Sequence, residues 1–157
     1  NEVRKFWGSL KLPNAQLIFS GIPAFEDKFQ AEWITWIESN TKFATTYDAV
    51  LGTSSIDSHY EHHIVNGFMQ ALCRSTCISI IEYKSPSSLH TWTPNYFVDI
   101  SDLMDKKISA LRSSFISQLD APYFSENCIK QFHSDFLNLK KRRMYSESYR
   151  TVTLYDK

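Results

Sequence analysis

A chain of 157 residues is long enough to bury a substantial core without disulfides or a metal as structural staples, so residues 1–157 are read as one domain. Its 17 Lys plus Arg are matched by 17 Asp plus Glu, which leaves no global field to draw in nucleic acid or an anionic membrane. Three cysteines (Cys73, Cys77, Cys128), none in a CxxC pair, give no disulfide framework or thiolate zinc knuckle; no apolar run reaches the ~20 residues of a membrane span, and a soluble chain in a reducing cytoplasm is the expected setting.

Val3, Phe6, Trp7 and Leu10 fall at helical spacing from the very start, as if a larger fold had been entered partway, and a preceding N-terminal part is expected. Pro13 and Asn14 end that helix, and Gln16-Leu17-Ile18-Phe19 reads as a short buried strand closed by Gly21-Ile22-Pro23. Phe29, Trp33, Trp36 and Ile37 then form the apolar stripe of a helix running to about Asn40, with Trp33 and Trp36 expected in the core. Ala49-Val50-Leu51 is a second strand, left through the polar loop Gly52-Thr53-Ser54-Ser55. His59 to Arg74 reads as helical with Ile64, Val65, Phe68, Met69 and Leu72 inward, and Cys77 to Ile81 follows as a third strand. Phe97 to Ile100 is extended, Leu103 to Phe115 and Glu126 to Lys140 are helical, and Thr151 to Leu154 is expected to close the sheet. Such alternation predicts an α/β fold with a mainly parallel sheet.

Chemistry concentrates in Asp57-Ser58-His59-Tyr60-Glu61-His62-His63, with three imidazoles and two carboxylates at a strand-to-helix junction. Open α/β sheets bind ligands outside the carboxyl ends of their strands, where this loop is expected. Neutral imidazole is a good zinc ligand, and a metal-bound water becomes a nucleophile near neutral pH. Plainer readings compete. Ser58-x-x-Glu61 matches a capping box, so Glu61 is expected to bond a helix N-terminus. His63 is expected in solvent or packing, turned about 100° from His62 on the helix. His59 and His62, three apart, can face one pocket, although two ligands do not make a site. The run Lys140-Lys141-Arg142-Arg143 is expected to be a solvated helix end rather than a phosphate site.

A resemblance covers nearly the whole chain. It is carried, in order, by Gly21-Ile22-Pro23, by Tyr47-Asp48-Ala49-Val50-Leu51, by the stretch Asp57 to His62, and by Pro94-Asn95-Tyr96-Phe97-Val98-Asp99-Ile100-Ser101. Lys107, Ala110, Leu111, Ser117 and Gln118, and then Tyr145-Ser146-Glu147-Ser148-Tyr149-Arg150, complete it. These segments resemble the LmbE-like, PIG-L-type N-acetylglucosaminyl deacetylases, whose second motif reads Asp-x-His-Pro-Asp-His. Here Tyr60 stands for the proline and Glu61 for the second aspartate.

The resemblance implies a Rossmann-like three-layer sandwich, of which this chain would be the C-terminal portion without the first strand and helix. It makes His62 a ligand of Zn2+ or another divalent metal. His59 becomes the residue that protonates the leaving amine or stabilises the oxyanion, with Asp57 counted beside it in the catalytic pair and Glu61 supporting from behind. The family's His-Pro-x-Asp-Asp-Glu segment, which supplies the remaining ligands and the general base, does not occur in these residues, and His133 lacks the flanking acids to replace it. The implied activity is hydrolysis of the N-acetyl amide of an N-acetylated sugar or glycoconjugate, with this chain alone expected to bind zinc weakly and to be inactive. Two other expectations stand beside it: a non-catalytic relative that binds a sugar or partner, using aromatic side chains such as Trp92, and a deacylase acting on a non-sugar amide.

Overall fold

The computed structural model describes residues 1–12, 14–19, 31–41, 47–74, 76–134 and 145–155. In chain order these hold helix α1 (Glu2–Ser9), α2 (Ala31–Thr41), strand β1 (Ala49–Gly52), α3 (Tyr60–Cys73), β2 (Ser79–Tyr83), β3 (Tyr96–Asp99), α4 (Met104–Ser114), α5 (Glu126–Phe132) and β4 (Ser146–Thr153). The result is a mixed α/β chain with a four-stranded sheet of order β1-β2-β4-β3. Backbone contacts divide it into two compact units, Asn1–Ile22 with Val98–Glu147 and Pro23–Phe97 with Ser148–Lys157. Among the described residues no helix is long and apolar enough to cross a membrane.

In the first unit α1 starts where Asn1 caps it, its side-chain oxygen accepting the Val3 N–H at 3.1 Å. The helix is tied to α4 and the turn beyond it: Glu2 accepts the Ser117 N–H at 2.8 Å and its hydroxyl at 2.7 Å, and Phe6 lies 5.6 Å from Phe115. Ile100, Met104, Ile108 and Ile129 form the core, with Leu111 and Tyr145 against it. Each such side chain contributes roughly 1.5–3 kcal/mol on burial. Helix α5 begins at its cap Ser125, whose Oγ accepts the Cys128 N–H at 3.3 Å, and ends at Phe132; residues 135–140 of the expected stretch lie outside the described residues. Buried His133 stops it. The His133 carbonyl accepts the Ser146 N–H at 2.8 Å, and its Nδ1 donates to the Ser146 carbonyl at 3.2 Å, so the residue leaves the helix for a two-point bond to β4. Lys107 and Glu147, both from segments that carry the family resemblance, meet here as an ion pair.

In the second unit β1 pairs with β2 in parallel, Ala49 opposite Ser79 through Gly52 opposite Glu82, and α3 forms the crossover between them. The helix lays Met69, Leu72 and Cys73 onto Ile78 and Ile80, and Ile34, Ile37 and Val50 pack around that cluster. Trp33 joins the packing, its ring 4.8 Å from Phe68, as the sequence leads one to expect. At position 52 the chain and helix come close: a Cβ there would lie 2.7 Å from the Met69 sulfur, so any larger residue makes that side chain shift. Trp92 is buried, which removes it as a stacking platform for a ligand.

Several expectations change. Among the described residues only β1 and β2 run parallel; β4 returns antiparallel to β2, with Glu82 opposite Arg150 and an irregularity at Ile80/Ile81, so the described sheet is not mainly parallel. Gln16–Phe19 forms no strand, and Leu17, Ile18 and Phe19 are exposed. Strand β2 begins at Ser79 and β4 at Ser146, later and earlier respectively than the apolar pattern indicates. On α3 Val65 faces solvent at 46% exposure, and Asn66 takes the inward place because it has hydrogen-bond partners there. Gly21–Pro23, Phe29 and Lys140–Arg143 lie outside the described residues.

Candidate functional site

Two loops leave the carboxyl ends of the parallel strands β1 and β2 and close on each other. Asp57 and Ser88 form an isolated antiparallel bridge, the Ser58 N–H donates to the Ser87 carbonyl at 2.9 Å, and the Leu89 N–H to the Ile56 carbonyl at 3.1 Å. Backbone ties at this spacing hold the loops as firmly as a short hairpin. The first carries Asp57 and His59 and runs into α3 with His62; the second is Ser85-Pro86-Ser87-Ser88.

Asp57 is the anchor. Its fully buried carboxylate accepts the His59 backbone N–H on Oδ1 at 2.8 Å; on Oδ2 it accepts the Ser85 hydroxyl, the Ser88 hydroxyl at 3.5 Å and the His62 Nδ1–H at 3.0 Å. Burial by itself opposes ionisation, but the bonds from Ser85, Ser87, the His59 N–H and His62 outweigh it and hold the carboxyl well below the usual carboxylate range. Asp57 is therefore a charged acceptor, and the nitrogen of His62 that faces it is the protonated one.

The two histidines of interest come together. The rings of His59 and His62 stack with centroids 4.7 Å apart and planes at 24°. His59 is the more open, its side chain 51% exposed against 25% for His62. Glu61 Oε2 lies 3.9 Å from His59 Nδ1, within reach of a weak electrostatic restraint. The capping box does not form. His59 occupies the N-cap without a side-chain bond, Ser58 Oγ donates instead to the Ser87 carbonyl at 3.0 Å, and Glu61 Oε1 has no hydrogen-bond partner. The Asp57 side chain supplies the ordering at this helix start that Ser58 and Glu61 were expected to give. His63 is exposed, as expected, and is not part of the stacked pair; its Nε2 donates to the Asp57 carbonyl at 2.6 Å.

Behind the site a buried polar chain fixes the first turns of α3. Thr53 Oγ1 donates to the His62 carbonyl at 2.8 Å; the Asn66 amide donates to the Thr53 carbonyl at 2.7 Å and to Glu82 Oε1 at 3.0 Å; Arg150 Nη2 meets Glu82 Oε2 at 2.7 Å. Glu82 is wholly buried, so each bond replaces water that the carboxylate has lost.

The chain matches no family model and no curated protein. Among the described residues no three His, Cys, Asp or Glu side chains converge into a metal cage, and His62 is the imidazole best disposed to contribute one ligand. With Nδ1 committed to Asp57, its remaining lone pair sits on Nε2, the arrangement in which a carboxylate orients a metal-binding histidine. His133 lies in the first unit, where its Nδ1 bonds the Ser146 carbonyl at 3.2 Å. A separate groove between Gln70, Cys73, Ile78, Ile80 and Tyr155 lies at the amino-terminal end of β2 and contains no carboxylate or imidazole.

Five side chains escape a reading of the histidine motif alone. Ser85, Ser87 and Ser88 are signalled only by a Ser-Pro-Ser-Ser turn directly after an apolar strand. Glu82 is signalled by a lone acid inside Ser79-Ile80-Ile81-Glu82-Tyr83, which demands a buried partner. Asn66 is signalled by an amide amid an apolar helix face.

Proposed function

We propose that this chain carries the histidine portion of a metal-dependent amide hydrolase that removes the acetyl group from an N-acetylated sugar or sugar conjugate. The observation that carries the reading is the Asp57–His62 bond of 3.0 Å, which leaves Nε2 of a quarter-exposed imidazole as an electron-pair donor at the carboxyl end of β1. The order of segments resembling the LmbE-like deacetylases supports it further. That family reading carries a Rossmann-like parallel sandwich, and β1–α3–β2 is the unit of the described chain consistent with it.

In this reading His62 would hold Zn2+, or another divalent cation, through Nε2. The bound cation would supply an activated water and polarise the amide carbonyl. His59, exposed and stacked on His62, would donate a hydrogen bond to the carbonyl oxygen or a proton to the departing amine. Glu61 restrains His59 from 3.9 Å, and Asp57 keeps His62 in one tautomer. The absence of a converging three-ligand set among the described residues favours a second reading, a non-catalytic relative in which the same loop binds a sugar or partner.

Zinc titration followed by native mass spectrometry and calorimetry separates the two. Weak binding of one zinc per chain is expected, with affinity at least about tenfold lower in His62→Ala and unchanged in a control at exposed His90. Equal zinc binding by His62→Ala and the unaltered chain would remove His62 as ligand and leave the binding reading.

A further inference from the structure

The reading of His62 as a ligand leaves open what holds Asp57, and the Ser85-Pro86-Ser87-Ser88 turn answers it through the direction of its hydroxyl bonds. The turn is closed twice: the Ser88 N–H donates to the Ser85 carbonyl at 3.1 Å, and the Ser85 N–H donates to Ser88 Oγ at 2.9 Å. Pro86 pre-sets the backbone for such a turn. Ser85 Oγ accepts the Ser87 N–H at 3.2 Å and lies 3.0 Å from Ser87 Oγ. A hydroxyl has one proton, and the buried, ionised Asp57 Oδ2 can only accept it, so the Ser85 proton is committed to Asp57. Ser88 Oγ, which accepts the Ser85 N–H, likewise has its proton free for Oδ2 at 3.5 Å. Ser87 Oγ stands 3.4 Å from His62 Nδ1 and covers that side of the ring. The carboxylate is thus filled by donors on both oxygens, and the place left for His62 accepts only an N–H.

We propose that Ser85 is a positioning residue that, by holding Asp57 Oδ2 against His62 Nδ1, keeps His62 as the Nδ1–H tautomer and so turns the Nε2 lone pair outward. The inference rests on His62 being the metal-binding residue, but it makes a claim about the metal-free chain. Ser85 itself touches neither metal nor substrate. Its removal leaves a buried carboxylate short of a donor, free to rotate away from the imidazole.

Long-range 1H–15N correlation spectra of the uniformly labelled, metal-free chain, recorded above the imidazole titration range, read the tautomer directly. Wild-type His62 is expected to show a protonated Nδ1 and a bare Nε2, Ser85→Ala a mixed or reversed pattern, and Ser85→Thr, which restores the hydroxyl, the wild-type pattern. Zinc affinity by chelator competition is expected to fall about tenfold in Ser85→Ala and recover in Ser85→Thr. A wild-type His62 protonated on Nε2 overturns the proposal without any variant, which keeps it testable if Ser85→Ala does not fold. A folded Ser85→Ala with a pure Nδ1–H His62 overturns it too. A tautomer that responds to Ser85 in a chain that binds no zinc upholds the positioning role and sinks the metal reading instead.

Discussion

Replacing Glu82 by alanine is expected to destabilise the protein by about 3–5 kcal/mol, because it strips the partner from one buried guanidinium contact and one buried amide at the same time. Glu82 is wholly buried; its Oε1 accepts the Asn66 amide at 3.0 Å and its Oε2 forms an ion pair with Arg150 Nη2 at 2.7 Å. The loss in Arg150→Met should be comparable, since it leaves the wholly buried Glu82 carboxylate with only the Asn66 amide, whereas the 28% exposed Arg150 can turn to water when Glu82 is removed. The double variant Glu82→Leu with Arg150→Met should recover most of the stability, because apolar groups of similar volume avoid the desolvation that the ion pair must offset. Urea unfolding of the two singles and the double at neutral pH forms the cycle. If Glu82→Ala costs under about 1 kcal/mol, the chain from Arg150 to Thr53 does not hold α3 in place.

Replacing Asp57 by alanine should cost about 3 kcal/mol, with donors from Ser85, His59 and His62 left unanswered. The pH dependence follows from the depressed carboxyl. Folding lowers the Asp57 pKa beneath its unfolded value, so its stabilisation is complete above the ordinary carboxylate range of about 4 and is lost as the pH falls toward the depressed folded value. The gap in stability between wild type and Asp57→Ala should therefore be full at pH 7 and narrow on acidification to pH 3, measured by denaturant unfolding at each pH. A gap independent of pH would mean that shape, not charge, makes Asp57 matter. Asp57→Asn should fall between the two, keeping an acceptor for the His59 N–H while setting an amide donor against Ser85 and His62.

The helices were the legible part of the fold. Met104, Ile108 and Leu111 on α4, and Phe68, Met69 and Leu72 on α3, repeat at helical spacing and are all buried or packed against a core. Strand direction was not legible, since helices between strands supply the crossovers that parallel pairing requires and that antiparallel pairing also tolerates. Gln16–Phe19 shows the other weakness, a short apolar run with no periodicity to decide its state. Val65 and Asn66 exchange their expected places because a hydropathy pattern does not register that a carbonyl at Thr53 and a carboxylate at Glu82 require an amide donor.

At the site, Asp57, His59 and His62 could be read together because the chain itself places them within one loop and helix turn. Ser85 could not be joined to them, since it lies 28 residues beyond Asp57 and meets it only through the pairing of two loops. His63 is exposed and separated from His62 as its helical angle leads one to expect, but nothing in the motif announces the Asp57 carbonyl that its ring reaches.

The placement of the thiols gives the molecule an internal clock. Cys77 and Cys128 stand at the surface, while Cys73 lies in the core on α3, its thiol pushed up by burial. Reagents and oxidants meet the outer two first, and those reactions leave the helix seated. Cys73 is buried against β2 at the rim of the groove with Gln70 and Tyr155, on the helix that also carries His62. Chemical ageing of the outer thiols therefore comes before reaction at the thiol of the histidine-bearing helix.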